Sequence, residues 1–160
     1  MDRHEINIYI KPRLGVKINR TWFKDMLSDI LFILNIKAPS ELGLVITDNE
    51  IMQQLNKLYR NKDKSTDVLT FPMLSQMGEE MHGKLFVNPP DGLFHLGEII
   101  ISFPKAKTQA RNKKHDIKHE FIILMTHGVL HLLGYDHELS KEDGQRMRIK
   151  EDEIITTLSG

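Results

Sequence analysis

Apolar residues recur along this chain with two periods, and the places where one gives way to the other mark out its elements. Ile6-Asn7-Ile8-Tyr9-Ile10 alternates with period two and predicts a strand, whereas Trp22, Phe23, Met26, Leu27, Ile30, Leu31 and Leu34 recur at the spacing of one helix face. Leu42 to Thr47 reads as a second strand. Asp48 or Asn49 can then cap a helix running through Leu58, with Ile51, Leu55 and Leu58 along one side. Val68 to Phe71 and Glu98 to Ser102 are short apolar runs suited to a buried sheet, stopped by Pro72 and Pro104. A helix over 117–133 follows, and then a more polar one from about Lys141 that packs back through Met147, Ile154, Ile155 and Leu158. The order β-α-β-α-β-β-α-α predicts a single α/β domain over residues 1–160, with a small mixed β-sheet and helices packed around it. Residues 75–95 carry Gly78, Gly83, Pro89, Pro90 and Gly92 and read as a loop with space for a hairpin at 84–88.

Composition narrows the setting. A chain of 160 residues that is 40% hydrophobic can bury one sizeable core. It has no cysteine, which excludes disulfides and thiolate metal sites and fits a reducing, cytoplasmic protein. No apolar run approaches the roughly 18 residues a membrane span needs, so a soluble protein is expected. Its 22 Lys and Arg balance 22 Asp and Glu, and net charge gives no reason to invoke nucleic acid. The distribution is less even. Lys105, Lys107, Arg111, Lys113, Lys114 and Lys118 crowd around His115, and Lys57, Arg60, Lys62 and Lys64 form a second basic group, whereas Glu151-Asp152-Glu153 is acidic. Such clusters are usually solvated faces, but beside a metal site they can neutralise phosphates.

The helix over 117–133 carries the chemistry. It is apolar nearly all round, as a core helix is, yet it holds His127 and His131 one turn apart on one face. Buried imidazoles without partners cost about 1–3 kcal/mol each, and one metal ion would satisfy both. Gly134 can end the helix and turn the chain so that His137 returns toward the pair. Three neutral nitrogen ligands, His127, His131 and His137, predict one zinc ion per chain with a fourth position open, which marks a catalytic site. Metzincin proteases share this histidine and glycine spacing but place their glutamate base where this chain has Gly128. Peptidase chemistry therefore lacks its usual base.

The eleven residues His127-Gly128-Val129-Leu130-His131-Leu132-Leu133-Gly134-Tyr135-Asp136-His137 resemble the signature of the YbeY-type endoribonucleases, a family of bacterial rRNA maturation factors. Leu55-Asn56-Lys57-Leu58-Tyr59-Arg60, Thr66-Asp67-Val68-Leu69-Thr70-Phe71-Pro72 and Leu96-Gly97-Glu98-Ile99-Ile100-Ile101-Ser102 are similar to further family segments. Ser65, Thr70 and Glu98 depart from the usual proline, serine and aspartate. The resemblance implies a zinc-dependent, single-strand-preferring endoribonuclease acting on rRNA and ribosomal subunits, with no membrane partner. It also implies a catalytic role for Arg60, which by itself reads as a surface arginine favourable to a helix C-terminus. Lys105, Lys107, Arg111, Lys113, Lys114 and His115 are the candidate RNA contacts. Two other readings remain open here: a peptidase or amidase using Glu120 or Asp136 as base, and a non-catalytic ribosome assembly factor with a structural zinc.

Overall fold

The structure is a computed structural model that describes residues 4–36, 39–72, 94–135 and 140–159. Strands β1 (Glu5–Ile10), β2 (Ser40–Thr47), β3 (Val68–Pro72) and β4 (Phe94–Ser102) form one sheet in the order β1-β2-β4-β3. The first three in that order run parallel, and β3 is antiparallel at the edge. Helices α1 (Arg20–Ile33) and α2 (Asn49–Arg60) supply the crossovers, as parallel strands require. After β4 come α3 (Phe103–Lys113), α4 (Ile117–Leu132) and α5 (Lys141–Ser159). The small mixed sheet wrapped by helices is the expected architecture; none of the helices among the described residues is long and apolar enough to cross a membrane.

One helix more than the sequence pattern predicts is present. Helix α3 buries only Phe103, Ala106 and Ala110, so its inward stripe lacks bulk, and its outward faces carry the basic residues that dominate the sequence. Its signals are local instead: the Ser102 side chain caps Lys105 N at 3.2 Å, Pro104 stands in the first turn, and Lys114 closes the helix at φ 58°. Similarly, Asp48 caps α2 by accepting from Ile51 N at 2.9 Å. The Lys11 ammonium hydrogen-bonded to it, with that backbone N–H, holds the Asp48 carboxyl below the usual carboxylate range.

The two faces of the sheet are unequal. Ile6, Leu42, Leu44, Ile46, Leu96, Ile99 and Ile101 form the main core with α1, α4 and α5, whereas Leu69 and Ile100 meet Met52 of α2 in a smaller cluster on the other side. The remainder of that second face is an open cleft of about 430 Å³ between Glu41, His95, Glu98 and Tyr59. Helix α4 is central to the main core. Phe121 packs edge-on against Phe23 at 5.0 Å and stacks over Phe103 at 6.2 Å, and Met125, Val129 and Leu130 are fully buried.

Two glycines allow close approach. At Gly97, φ is +131° and a Cβ would stand 2.2 Å from the Phe71 carbonyl, so only glycine fits where β4 bulges. At Gly128 the helix lies on the sheet, and a Cβ would meet Ile99 Cγ2 at 2.8 Å. Gly128→Ala should therefore destabilise the protein by about 1–3 kcal/mol through overpacking, even though alanine gains about 1 kcal/mol of helix propensity. In an Ile99→Ala background the same change should cost nothing or stabilise. Denaturant unfolding of the four-member cycle checks this, and strictly additive losses would show that the contact does not govern the helix–sheet distance.

Candidate active site

His127 and His131 lie in the last two turns of α4, and their Nε2 atoms face each other at 2.9 Å with ring centroids 4.4 Å apart. Both rings are half-buried in a helix otherwise sealed by apolar contacts. The convergence fits a shared cation: two nitrogens on one tetrahedral zinc at 2.0–2.1 Å stand about 3.3 Å apart, within a small ring rotation of the observed spacing. The other nitrogen of His127, Nδ1, faces the Glu151 carboxylate of α5 at 3.7 Å. Glu151 stands in the acidic run Glu151-Asp152-Glu153, and with Met147 it also falls where YbeY-type chains have similar residues; its i−4 and i+3 relations to the buried Met147 and Ile154 are the signal that it turns inward.

The helix ends as the glycine predicts. Gly134 N–H donates to His131 O at 3.0 Å and Tyr135 N–H to Leu130 O at 3.0 Å, the paired bonds of a Schellman turn, with Gly134 at φ +99°. His137, the third expected ligand, and Asp136 lie outside the described residues. Among the described residues no group of three histidine or carboxylate side chains is arranged around one point.

Arg60 is the last residue of α2, followed by Asn61 in the left-handed conformation. Its Nη2 donates to Thr70 O of edge strand β3 at 2.5 Å, and its guanidinium carbon stands 5.8 Å from the Phe71 ring. Strand β3 packs on α4, so Arg60 is bound to the strand that flanks the histidine helix. The turn between α2 and β3 is fixed by Asn56, whose buried side chain donates to Lys64 O at 2.9 Å. Beside it, Arg60, Lys62, Lys64 and Thr66 line a recess of about 260 Å³.

Residues 10–159 match the family described as Endoribonuclease YbeY. The chain belongs to that family. It is 45% identical to the Endoribonuclease YbeY of Dehalococcoides mccartyi (strain CBDB1) over 84% of this chain and 82% of the relative. Identity to the Roseiflexus sp. (strain RS-1) protein of the same description is 36%, over 96% and 92%. A solution structure of a Thermotoga maritima protein shares the fold with a TM-score of 0.59 at 22% identity, covering 94% of this chain and 86% of that one.

Departures from the usual YbeY residues are locally accommodated. The Ser65 hydroxyl donates to Asn49 Oδ1 at 3.2 Å, tying the turn by a hydrogen bond where a proline would stiffen it. Glu98 lies on the open face of the sheet, across from α4; its Cγ rests 3.2 Å from where a Cβ on Gly43 would be, so Gly43 clears room for the extra methylene.

The basic residues around His115 are less simply placed. Ten residues of helix separate Ile117 from His127, about 15 Å along the axis, so α3 and its loop sit at the opposite end of α4 from the histidine pair. Several are also engaged within the molecule. His115 Nε2 lies 2.6 Å from Oε1 of the fully buried Glu120, Lys113 Nζ lies 3.5 Å from the same oxygen, and Lys107 Nζ sits over the Phe103 ring at 5.0 Å. Arg111 and Lys114 are exposed and Lys105 is partly so. Glu120, at the start of the helix and bonded to His115, is about 10 Å along the axis from His127 and not disposed to act as a base there. His95 pairs with Glu41 at 2.5 Å on the open face, and His82 lies outside the described residues.

Proposed function

We propose that this YbeY-family chain is a cytoplasmic, zinc-dependent endoribonuclease that cuts single-stranded RNA in rRNA maturation and ribosome quality control, with one ion held by His127, His131 and His137. The observation that carries this reading is the convergence of two Nε2 atoms at 2.9 Å across a turn whose intervening Gly128 has no room for a carboxylate. A peptidase of the metzincin kind needs a glutamate at that position, and the close helix–sheet contact disfavours it. A site of neutral imidazoles with no carboxylate ligand favours an anionic substrate, such as a phosphodiester. When bound, zinc supplies Lewis acidity and lowers the pKa of bound water toward about 7.

The chain's own residues supply the rest. Arg60 spends one of its five N–H donors on Thr70 O, which fixes the guanidinium at the sheet edge, and the planar fork suits two oxygens of a reacting phosphate. Lys62 and Lys64 line the adjoining recess, where they can neutralise a neighbouring phosphate. Arg111 and Lys114, with Lys105, lie farther off and would touch only a strand long enough to follow α4 toward its N-terminus.

Purified protein is expected to carry about one zinc per chain, and His131→Ala to lose most of it by metal analysis; unchanged content would remove the histidines as ligands. With zinc content matched to the parent, Arg60→Ala should lower single-turnover cleavage of a single-stranded RNA on the order of a hundredfold, and Arg60→Lys should restore little. Near-parental rates would favour a structural zinc instead. Neutralising Arg111 and Lys114 together to glutamine should weaken RNA binding on all sequences and reduce the slope of log K against log salt by about 1.4, at roughly 0.7 per lost phosphate contact. A slope unchanged by the double substitution places the RNA elsewhere.

A further inference from the structure

Glu151 sits at a position where a carboxylate is costly without a purpose. It lies on α5 four residues after Met147 and three before Ile154, both fully buried, so it occupies the core-facing stripe of that helix; its side chain is only 16% exposed. From there its Oε2 faces Nδ1 of His127 at 3.7 Å, while Nε2 of the same ring faces Nε2 of His131 at 2.9 Å. The two nitrogens of His127 thus look at chemically opposite neighbours.

A neutral imidazole carries one proton, and the nitrogen that holds it cannot offer a lone pair. If the proton sits on Nε2, the ring can donate to His131 but cannot ligate through that nitrogen. If it sits on Nδ1, Nε2 presents a lone pair toward the point that the two rings share. An ionised carboxylate attracts a proton on the nitrogen that faces it, so its placement across Nδ1, at 3.7 Å longer than a direct hydrogen bond, favours the second arrangement electrostatically. Resting on the metal reading above, we propose that Glu151 is the positioning residue of His127: it holds the proton on Nδ1 and thereby keeps the Nε2 lone pair directed at the ion. The C-terminal helix is in this way part of the active site rather than only its packing.

Two variants of the full chain test this. Glu151→Ala removes the acceptor, and Glu151→Gln keeps a carbonyl oxygen in its place. Zinc affinity, read by competition with a chromophoric chelator, should fall by about 10- to 100-fold in the alanine variant and recover to within a few-fold of the parent in the glutamine variant. The His127 tautomer in metal-free protein, read by long-range 1H–15N correlation, should be Nδ1–H in the parent and the glutamine variant and shift toward Nε2–H in the alanine variant. Parental zinc affinity with an unchanged tautomer in Glu151→Ala overturns the assignment while leaving the metal site standing. A parent that binds no zinc fails the metal reading instead, and the tautomer measurement still decides whether Glu151 acts on His127. An affinity loss that tracks lower thermal stability and is not rescued by glutamine assigns Glu151 to packing alone.

Discussion

The close approach of α4 to β4 at Gly128 and Ile99 is the constraint on which the other features depend. It brings a helix almost flush with the sheet, so nearly every side chain from Glu120 to Leu132 is enclosed, and the two histidines inherit a fixed backbone. Enclosure raises the stakes for polar groups, since each one buried without a partner costs free energy comparable to a lost hydrogen bond. The helix answers this at both ends. Near its start, Glu120 is bonded to His115; near its finish, His127 stands between His131 and Glu151. Between them the buried Thr126 hydroxyl finds no hydrogen-bond partner among the described residues, so the paired polar groups of this rigid support are those near its two ends.

The edge strand contributes in a different way. Among the described residues β3 is the edge strand of the sheet, and its Thr70 carbonyl is met by Arg60 from the preceding helix. Asn56 and the turn it fixes set where that guanidinium can reach. A side chain attached to the edge by one donor keeps its charge at the sheet margin without being buried, which suits a group that must meet a solvated anion.

Much of this was legible in the chain itself because it depends on local spacing. Period two gave β1 and apolar runs gave β2, β3 and the second half of β4, whose first residues, Phe94 and His95, read instead as the end of a loop; the relation of His127 to His131 gave the ring pair, and Gly134 announced the turn that ends α4. What escaped was set by packing between distant segments. Helix α3 was invisible because Ala106 and Ala110 bury it without hydrophobic bulk. The basic residues around His115 adjoin the histidine helix in sequence, yet the 1.5 Å rise per residue carries them to its far end. Glu151 was marked by the family resemblance and by its acidic neighbours, but its direction toward Nδ1 of His127 is set by the rotation of α5 against α4. Gly128 could be read as the loss of a base, but the reason for its identity, the Ile99 side chain, comes from another element 29 positions away.

That contact also bears on how the fold can diversify. A chain with this histidine frame is, on paper, one substitution from the glutamate that peptidases use. Here that substitution would drive a side chain into a strand at the centre of the sheet, and relieving the clash by trimming Ile99 would open a cavity costing about 2–5 kcal/mol. Either single step would take a sizeable share of the 5–15 kcal/mol that holds a typical domain together. The two chemistries are therefore separated by a cost in stability on either single path, and the packing of one isoleucine sets its height.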